Sequence, residues 1–418
     1  MGIKYTAMRH ILGLAVAAAS FLMPLSSAAQ PANPYELPDP LRMEDGRMVR
    51  NKKQWINERR PELMEMFRSQ MFGREPGAAP DLHFEVLEES PDALGGLATR
   101  RQVKISFDKE ENYYLVLLMY IPNNRKGPVP AFLGANFKGN HGTTDDPAVF
   151  LPSPEKLATY QPGYTIPLRG ANKHRWPYEY IVSQGYAVAT YCYHDVDPDY
   201  NDGFHDGVHR LMDGDTPRNA ESWGSISAWA WGLSRCLDYL ETVPDIDSRK
   251  VAVIGHSRLG KTSLWAGATD QRFALVISND SGCSGAAIAR RKYGETVERI
   301  CSVFPHWFCS NYSSYGGREE KMPWDQHELI AMMAPRPVYV ASASEDSWAD
   351  PVGEYFSLVG AASVYRLFGY DGITSTTVPE IEHPVVAGRM GHHIRCGAHN
   401  VLIYDWEQYV SFADRFLK

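Results

Sequence analysis

Lys250-Val-Ala-Val-Ile-Gly-His-Ser-Arg-Leu-Gly-Lys261 is a short β-branched run that ends in small and turn-forming residues, with helix-compatible residues following from Thr262 to Ala268. That order reads as a strand, a sharp turn and a helix, with Ser257 at the turn. A strained strand-to-helix turn lifts a serine hydroxyl clear of the sheet edge. A hydroxyl becomes a competent nucleophile only when a neighbouring base takes its proton. The remainder of the chain is therefore read for a base, an acid and a site for developing negative charge.

Around this segment, strand and helix patterns alternate. Tyr186–Tyr193, Ala274–Ser278 and Pro337–Ala341 read as strands, and Val364–Phe368 as one more. Trp223–Leu240 carries apolar residues at 223, 226, 229, 230, 233, 237 and 240, one face of a helix. Trp406–Leu417 reads as a closing amphipathic helix. Upstream lie a helical stretch at Pro61–Gln70 and strand-like runs at His83–Leu87, Gln102–Phe107, Tyr113–Ile121 and Pro128–Asn136. Lys138–Trp176, rich in Gly, Pro, Asn and Thr, reads as a long surface insertion of the kind that carries function. The expected fold class is α/β, a mostly parallel sheet with helices on both faces. Residues 30–418 are expected to form one catalytic domain with a β-rich extension over about residues 30–125.

The bulk properties narrow the function. A chain of 418 residues with 44% hydrophobic and 22% charged residues has ordinary globular composition. Residues 1–29 have a basic start (Lys4, Arg9), an apolar stretch from Ile11 to Leu25 broken by Pro24, and a small-residue end at Ser27-Ala-Ala29. They read as a secretory signal, and export to the periplasm or beyond is expected, without lasting membrane insertion. This segment holds no acid, so its loss leaves a chain still more acidic than the net −8 of the whole. Such a balance argues against nucleic acid as a partner. Six cysteines in so long a chain do not make a disulfide scaffold.

In an α/β-hydrolase the triad runs Ser, then Asp or Glu, then His along the chain. Asp346 follows the strand at Pro337–Ala341, with Glu345 and Asp350 as neighbours, and is the first acid candidate. His399, in a Gly-flanked loop before the last helix, is the base candidate. A rival reading makes His392, His393, Cys396 and His399 metal ligands, but no second ligand pair stands at a recognisable spacing. No metal or cofactor is expected. Leu259 stands where a Gly-x-Ser-x-Gly motif has its second Gly. Arg258 and Lys261 place two cations beside the nucleophile, which suits an anionic group or a developing oxyanion.

Ser257-Arg258-x-Gly260-Lys261, together with Gly134-Ala-Asn-Phe-Lys-Gly-Asn-His141, Gly294-Glu-Thr296, Phe304-Pro-His-Trp-Phe308, Glu345-Asp-Ser-Trp-Ala-Asp-Pro351 and Asp405-Trp406, resembles the glucuronoyl esterases of carbohydrate esterase family 15, and its bacterial branch more than its fungal one. The resemblance runs over most of the mature chain. It implies hydrolysis of esters between glucuronate, often 4-O-methylated on xylan, and a lignin alcohol. It implies Ser257 as nucleophile, His399 as base, Arg258 at the oxyanion, and Lys261, Glu295 and Trp348 lining the sugar pocket. Two features depart from the fungal members. Where those have a catalytic Glu soon after the nucleophile's helix, this chain has Asp280, which is kept as the second acid candidate. Where they have a cysteine beside both the Ser and the His, it has His256 and Asn400. The other readings are an acetyl- or feruloyl-type polysaccharide esterase, and a carbohydrate-binding protein without catalysis on a hydrolase scaffold. A uronate ester such as glucuronoxylan is the expected partner, and the working unit a monomer.

Overall fold

The computed structural model describes residues 35–418. The expected signal segment lies outside the described residues. Ten strands form one sheet in the order β1-β2-β3-β5-β4-β6-β7-β8-β10-β9. They are β1 (His83–Ala93), β2 (Ala98–Ser106), β3 (Tyr114–Pro122), β4 (Val129–Asn136), β5 (Ala187–Cys192), β6 (Ile246–His256), β7 (Leu275–Asn279), β8 (Val338–Ala343), β9 (Val385–Ala387) and β10 (Met390–Arg395). From β5 through β4, β6, β7 and β8 to β10 every pairing is parallel. β1, β2 and β3 join antiparallel on one side and β9 on the other. The strands expected of a β-rich extension are thus continuous with the central sheet.

The parallel strands are apolar on both faces because helices cover both. Val251 and Val253 of β6 enter one core while Ala252 and Ile254 enter the other, as the two-residue period of a strand requires. The larger core packs under three long helices, α1 (Ser225–Leu240), α2 (Arg258–Thr269) and α3 (Pro351–Leu367). The smaller packs under α4 (Ile403–Leu417) and the short helix Tyr178–Ser183. This is the α/β-hydrolase architecture.

One expected element is corrected. Val364–Phe368 does not form a strand; Val364 to Leu367 are the last turn of α3. A β-branched and aromatic run looks strand-like in isolation, but α3 starts with Asp350 accepting from the Gly353 N–H at 3.0 Å and with Pro351 in its first turn, and it propagates through Val364.

Every catalytic candidate sits at the carboxyl ends of the parallel strands, where open α/β sheets bind their ligands. The turn at β6 explains why Gly255 is needed. A Cβ at Gly255 would sit 1.8 Å from the Leu259 carbonyl oxygen, a backbone atom that cannot move without unwinding the first turn of α2. Leu259 itself is buried in the larger core, which is why a second glycine is not required at that position. Gly255→Ala should therefore cost about 1–3 kcal/mol or more of stability by overpacking. A urea unfolding midpoint equal to the wild-type value would show that the turn has room to relax.

Candidate active site

Ser257 has φ 58° and ψ −128°, a left-handed conformation that a side chain rarely adopts. Its amide donates to the Asn279 carbonyl at 2.9 Å, and its carbonyl accepts from Gly260 and Lys261, so both flanks of the turn are anchored. The hydroxyl is thereby carried at the amino end of α2, where the first N–H groups, Arg258's among them, have no intrahelical acceptor.

Two loops deliver the candidate base and acid. After β8 and β10 the chain is laced across the gap: Ser344 N donates to Arg395 O at 2.8 Å, Glu345 N to Gly397 O at 2.9 Å, and Gly397 N to Ser344 Oγ at 3.1 Å. His399 Nδ1 then donates to Asp346 Oδ2 at 2.5 Å. Buried Arg395 holds the loop of the base, donating to the carbonyls of Cys396, Ala398 and Asn400 at 2.7, 2.7 and 3.2 Å. Arg395 is fixed in turn by Asp405 at 2.9 Å, which also binds His393 at 2.8 Å. The long insertion reaches the same loop, since Arg175 Nε donates to Asn400 Oδ1 at 2.7 Å.

The two acid candidates differ sharply. Asp346 contacts His399 directly, whereas the nearest Asp280 oxygen is 4.0 Å from His399 Nδ1. Both Asp280 oxygens are buried without a hydrogen-bond partner. Burial first, then the nearby carboxyls of Glu354, Asp346 and Asp405, raise the Asp280 pKa well above the ordinary carboxylate range, which favours its protonated form beside the pair. Glu354, buried under the same turn, accepts from Ser342 Oγ at 2.6 Å and from the Gly282 amide at 2.9 Å. Its pKa is pushed up to about 7 by burial.

The sequence assigned no individual role to Asp199, Tyr193, His306 or Trp307, which surround Arg258. The Arg258 guanidinium pairs with Asp199 and lies 4.8 Å over the Trp307 ring. Asp199 also accepts from Tyr193 Oη at 2.7 Å, His306 Nε2 at 3.0 Å and Trp307 Nε1 at 2.7 Å. Burial works against the charge on Asp199, but the His306 hydrogen bond and the Arg258 cation outweigh it and hold its pKa well below the ordinary value. Alternating acids in Asp195-Val-Asp-Pro-Asp199 were a signal for such a post, but sequence does not reveal which acid meets the arginine.

Lys261 is buried, with 4% of its surface exposed, and its ammonium donates to the Ser281 carbonyl. Burial lowers its pKa against the opposing pull of Glu295. Among the described residues it has no second hydrogen-bond acceptor, which leaves donors for a bound molecule. Glu295 N donates to Trp348 O at 3.0 Å, and Gly294, at φ 67°, permits this closeness because a Cβ there would lie 2.3 Å from that oxygen. Trp348 is 54% exposed, a large apolar face left open to solvent.

His256 lies against the base, with ring centroids 4.3 Å apart. Its Nδ1 is 2.6 Å from Asn279 Oδ1, and Asn279 Nδ2 donates to Tyr409 Oη at 2.9 Å, so the proton of this neutral ring is on Nδ1. Burial, then His399 and Arg175, lower its pKa well below the usual histidine value. The metal alternative loses its geometry. His392 and His393 are successive residues of β10 and bind opposite partners, the Val340 carbonyl at 2.9 Å and Asp405 at 2.8 Å. One ligand atom each of Asp280, Asp346 and His399 fall within 4.8 Å of one another, a set that could hold a cation. All six cysteines are free thiols.

Fold and site together define an ester hydrolase of the α/β-hydrolase class. A family model described as "Glucuronyl esterase, fungi" matches residues 178–369. The chain is 47% identical to the carbohydrate esterase MZ0003 of an unknown prokaryotic organism, over 92% of this chain and 90% of that one. It is 32% identical to 4-O-methyl-glucuronoyl methylesterase 1 of Wolfiporia cocos, over 69% and 71%. The solved glucuronoyl esterase of Solibacter usitatus superposes with a TM-score of 0.87 at 42% identity, over 93% of this chain and 99% of that one. The chain belongs to the glucuronoyl esterase family, carbohydrate esterase family 15.

The geometry sets an order for the two acids. Asp346→Asn should lower kcat by about 10³–10⁴, the scale of losing the group that fixes a catalytic imidazole. Asp280→Asn replaces a neutral, unpartnered carboxyl by a neutral amide and should change kcat by less than about tenfold. A larger loss for Asp280→Asn in single-turnover measurements would reverse the assignment.

Proposed function

We propose that this protein hydrolyses esters whose acyl part is glucuronate or 4-O-methylglucuronate, as in lignin–glucuronoxylan linkages, through a covalent acyl-enzyme. The observation that carries this reading is the set of side chains close to the turn, in which Glu295 opposes the charge of Lys261 and is joined through its backbone to Trp348. It combines a buried ammonium with spare donors (Lys261), a carboxylate (Glu295) and an open indole (Trp348), and a small acyl group would use none of them. A pyranose needs hydrogen-bond partners for its hydroxyls and an apolar face for its ring. The names carried by the relatives agree.

Each residue then has a role. Asp346 accepts the Nδ1 proton of His399, which leaves Nε2 free to take the Ser257 proton as Oγ attacks the ester carbonyl. The oxyanion forms beside the amino end of α2 and the Arg258 guanidinium, which Asp199 and Trp307 hold in place. His399 passes the proton to the leaving alcohol, and a water activated by the same imidazole releases the uronic acid and restores Ser257. We further propose that residues 30–418 act as a single catalytic domain, exported to the periplasm or medium and working as a monomer. No helix among the described residues is long and apolar enough to cross a membrane.

Ser257→Ala and His399→Ala should each remove turnover of every ester, with losses on the order of 10⁴ or more. Lys261→Ala and Trp348→Ala should instead act selectively. Losing a charged donor costs roughly 1.5–3 kcal/mol, or about tenfold or more in kcat/KM. That cost should be seen with benzyl glucuronate and largely vanish with a small acetyl ester. Trp348 is half open to solvent, so its variant keeps the fold. Equal losses of Trp348→Ala on the two substrates would remove the uronate-pocket assignment.

A further inference from the structure

At the pole of the sheet opposite Ser257, the amino ends of β6, β7 and β8, the residue before β10 and the carboxyl end of α4 enclose a cleft of about 550 Å³. Five arginines line it, Arg249, Arg272, Arg336, Arg389 and Arg415, against one acid, Glu241. This is a local reversal of sign on a chain of net charge −8.

Ordinary structural duties account for three of the five. Arg249 pairs with Asp247 at 3.1 Å, and Arg272 pairs with Asp270, Asp238 and Glu241 at 2.6, 2.8 and 2.9 Å. Arg336 is used by backbone carbonyls at the end of α2, donating to Gly267 at 2.6 Å and Phe273 at 3.0 Å. Arg389 and Arg415 remain. Arg389 stacks 4.2 Å over Tyr370 and makes a single donation, to Pro335 O at 2.9 Å. Arg415 has no hydrogen bond or ion pair among the described residues. Both guanidiniums lie 5.9 Å from the centroid of one ring, Phe416, which is only partly buried in the same cleft. Two guanidiniums with donors to spare, both gathered at one aromatic ring, fit a sugar that bears a carboxylate: the planar forks pair with the carboxylate, and the apolar side of the sugar packs beside the partly buried Phe416.

We propose that this cleft is a second carbohydrate site, remote from the esterolytic one, that binds a free uronate residue of an acidic polysaccharide through Arg389, Arg415 and Phe416. It would tether the enzyme to a polymer whose other uronates are esterified. The choice of polymer rests on the proposed function, whereas the charge and shape of the cleft do not.

The test uses the whole protein with Ser257 first blocked by a phosphonate ester, because a free uronate also fits the esterolytic pocket as product. Failure of that labelling would count against the serine mechanism, not against the cleft. Titration calorimetry with xylotriose bearing one free glucuronate should then show one binding event, absent with neutral xylotetraose. Arg389→Gln combined with Arg415→Gln should raise Kd at least about tenfold, the scale of lost charge-assisted hydrogen bonds. Turnover of benzyl glucuronate by the unblocked variant should stay unchanged. Arg415→Gln alone breaks no hydrogen bond or ion pair within the protein, only the placement over Phe416, and it should weaken binding in the same direction. No binding to the blocked protein, an unaltered Kd in Arg415→Gln and the double variant, or full displacement by equimolar inorganic phosphate would each overturn the proposal.

Discussion

The backbone of Ser257, held at φ 58°, is the constraint on which the remaining structure depends. A non-glycine residue in that region costs on the order of 1–3 kcal/mol, and it persists only where the surroundings over-determine it. Here the surroundings do so on every side. β6 is paired in parallel with both β4 and β7, so its end cannot shift. α2 is packed into the larger core by Leu259, Leu264 and Trp265. The Asn279 carbonyl receives the Ser257 amide. The strain is stored by the fold, and what it yields is a hydroxyl standing at the open end of a helix.

Around that hydroxyl the charges are sorted by how each is buried. Asp199 is held ionised because four donors converge on it, and it fixes Arg258. Asp280 is buried with no partner, which favours its neutral form. Asp346 meets the base directly. A single type of side chain thus serves as anchor, neutral neighbour and imidazole partner, and only local hydrogen bonding and desolvation separate the three. His256 follows the same logic. Placed against His399, a charged ring would repel any positive charge on that imidazole, and burial favours its neutral form.

Much of this was legible in the chain. The β-branched run into Gly255-His-Ser257 marked the strand and the turn, and the order Ser257, Asp346, His399 marked the fold class and the three side chains that stand at the carboxyl ends of the parallel strands. The priority of Asp346 over Asp280 followed from its address after β8. The error at Val364–Phe368 was a local one, where strand-like residues are carried as the end of a well-capped helix. What no pattern could reveal were contacts between distant segments. Asp199 meets Arg258 across 59 positions, and Glu295 meets the backbone of Trp348 across several helices and β8.

By itself, then, the sequence determined the elements that local chemistry dictates. These are apolar strands that must be buried on both faces, a glycine where the turn leaves no room for a side chain, and a serine, an aspartate and a histidine in hydrolase order. Only the tertiary structure decided the charge states and orientations that make a site. Whether a carboxyl is ionised, or an ammonium spends its donors on the protein, depends on which groups the fold brings within hydrogen-bonding distance and how much water it removes. Those quantities are properties of packed surroundings, and a chain read residue by residue does not contain them.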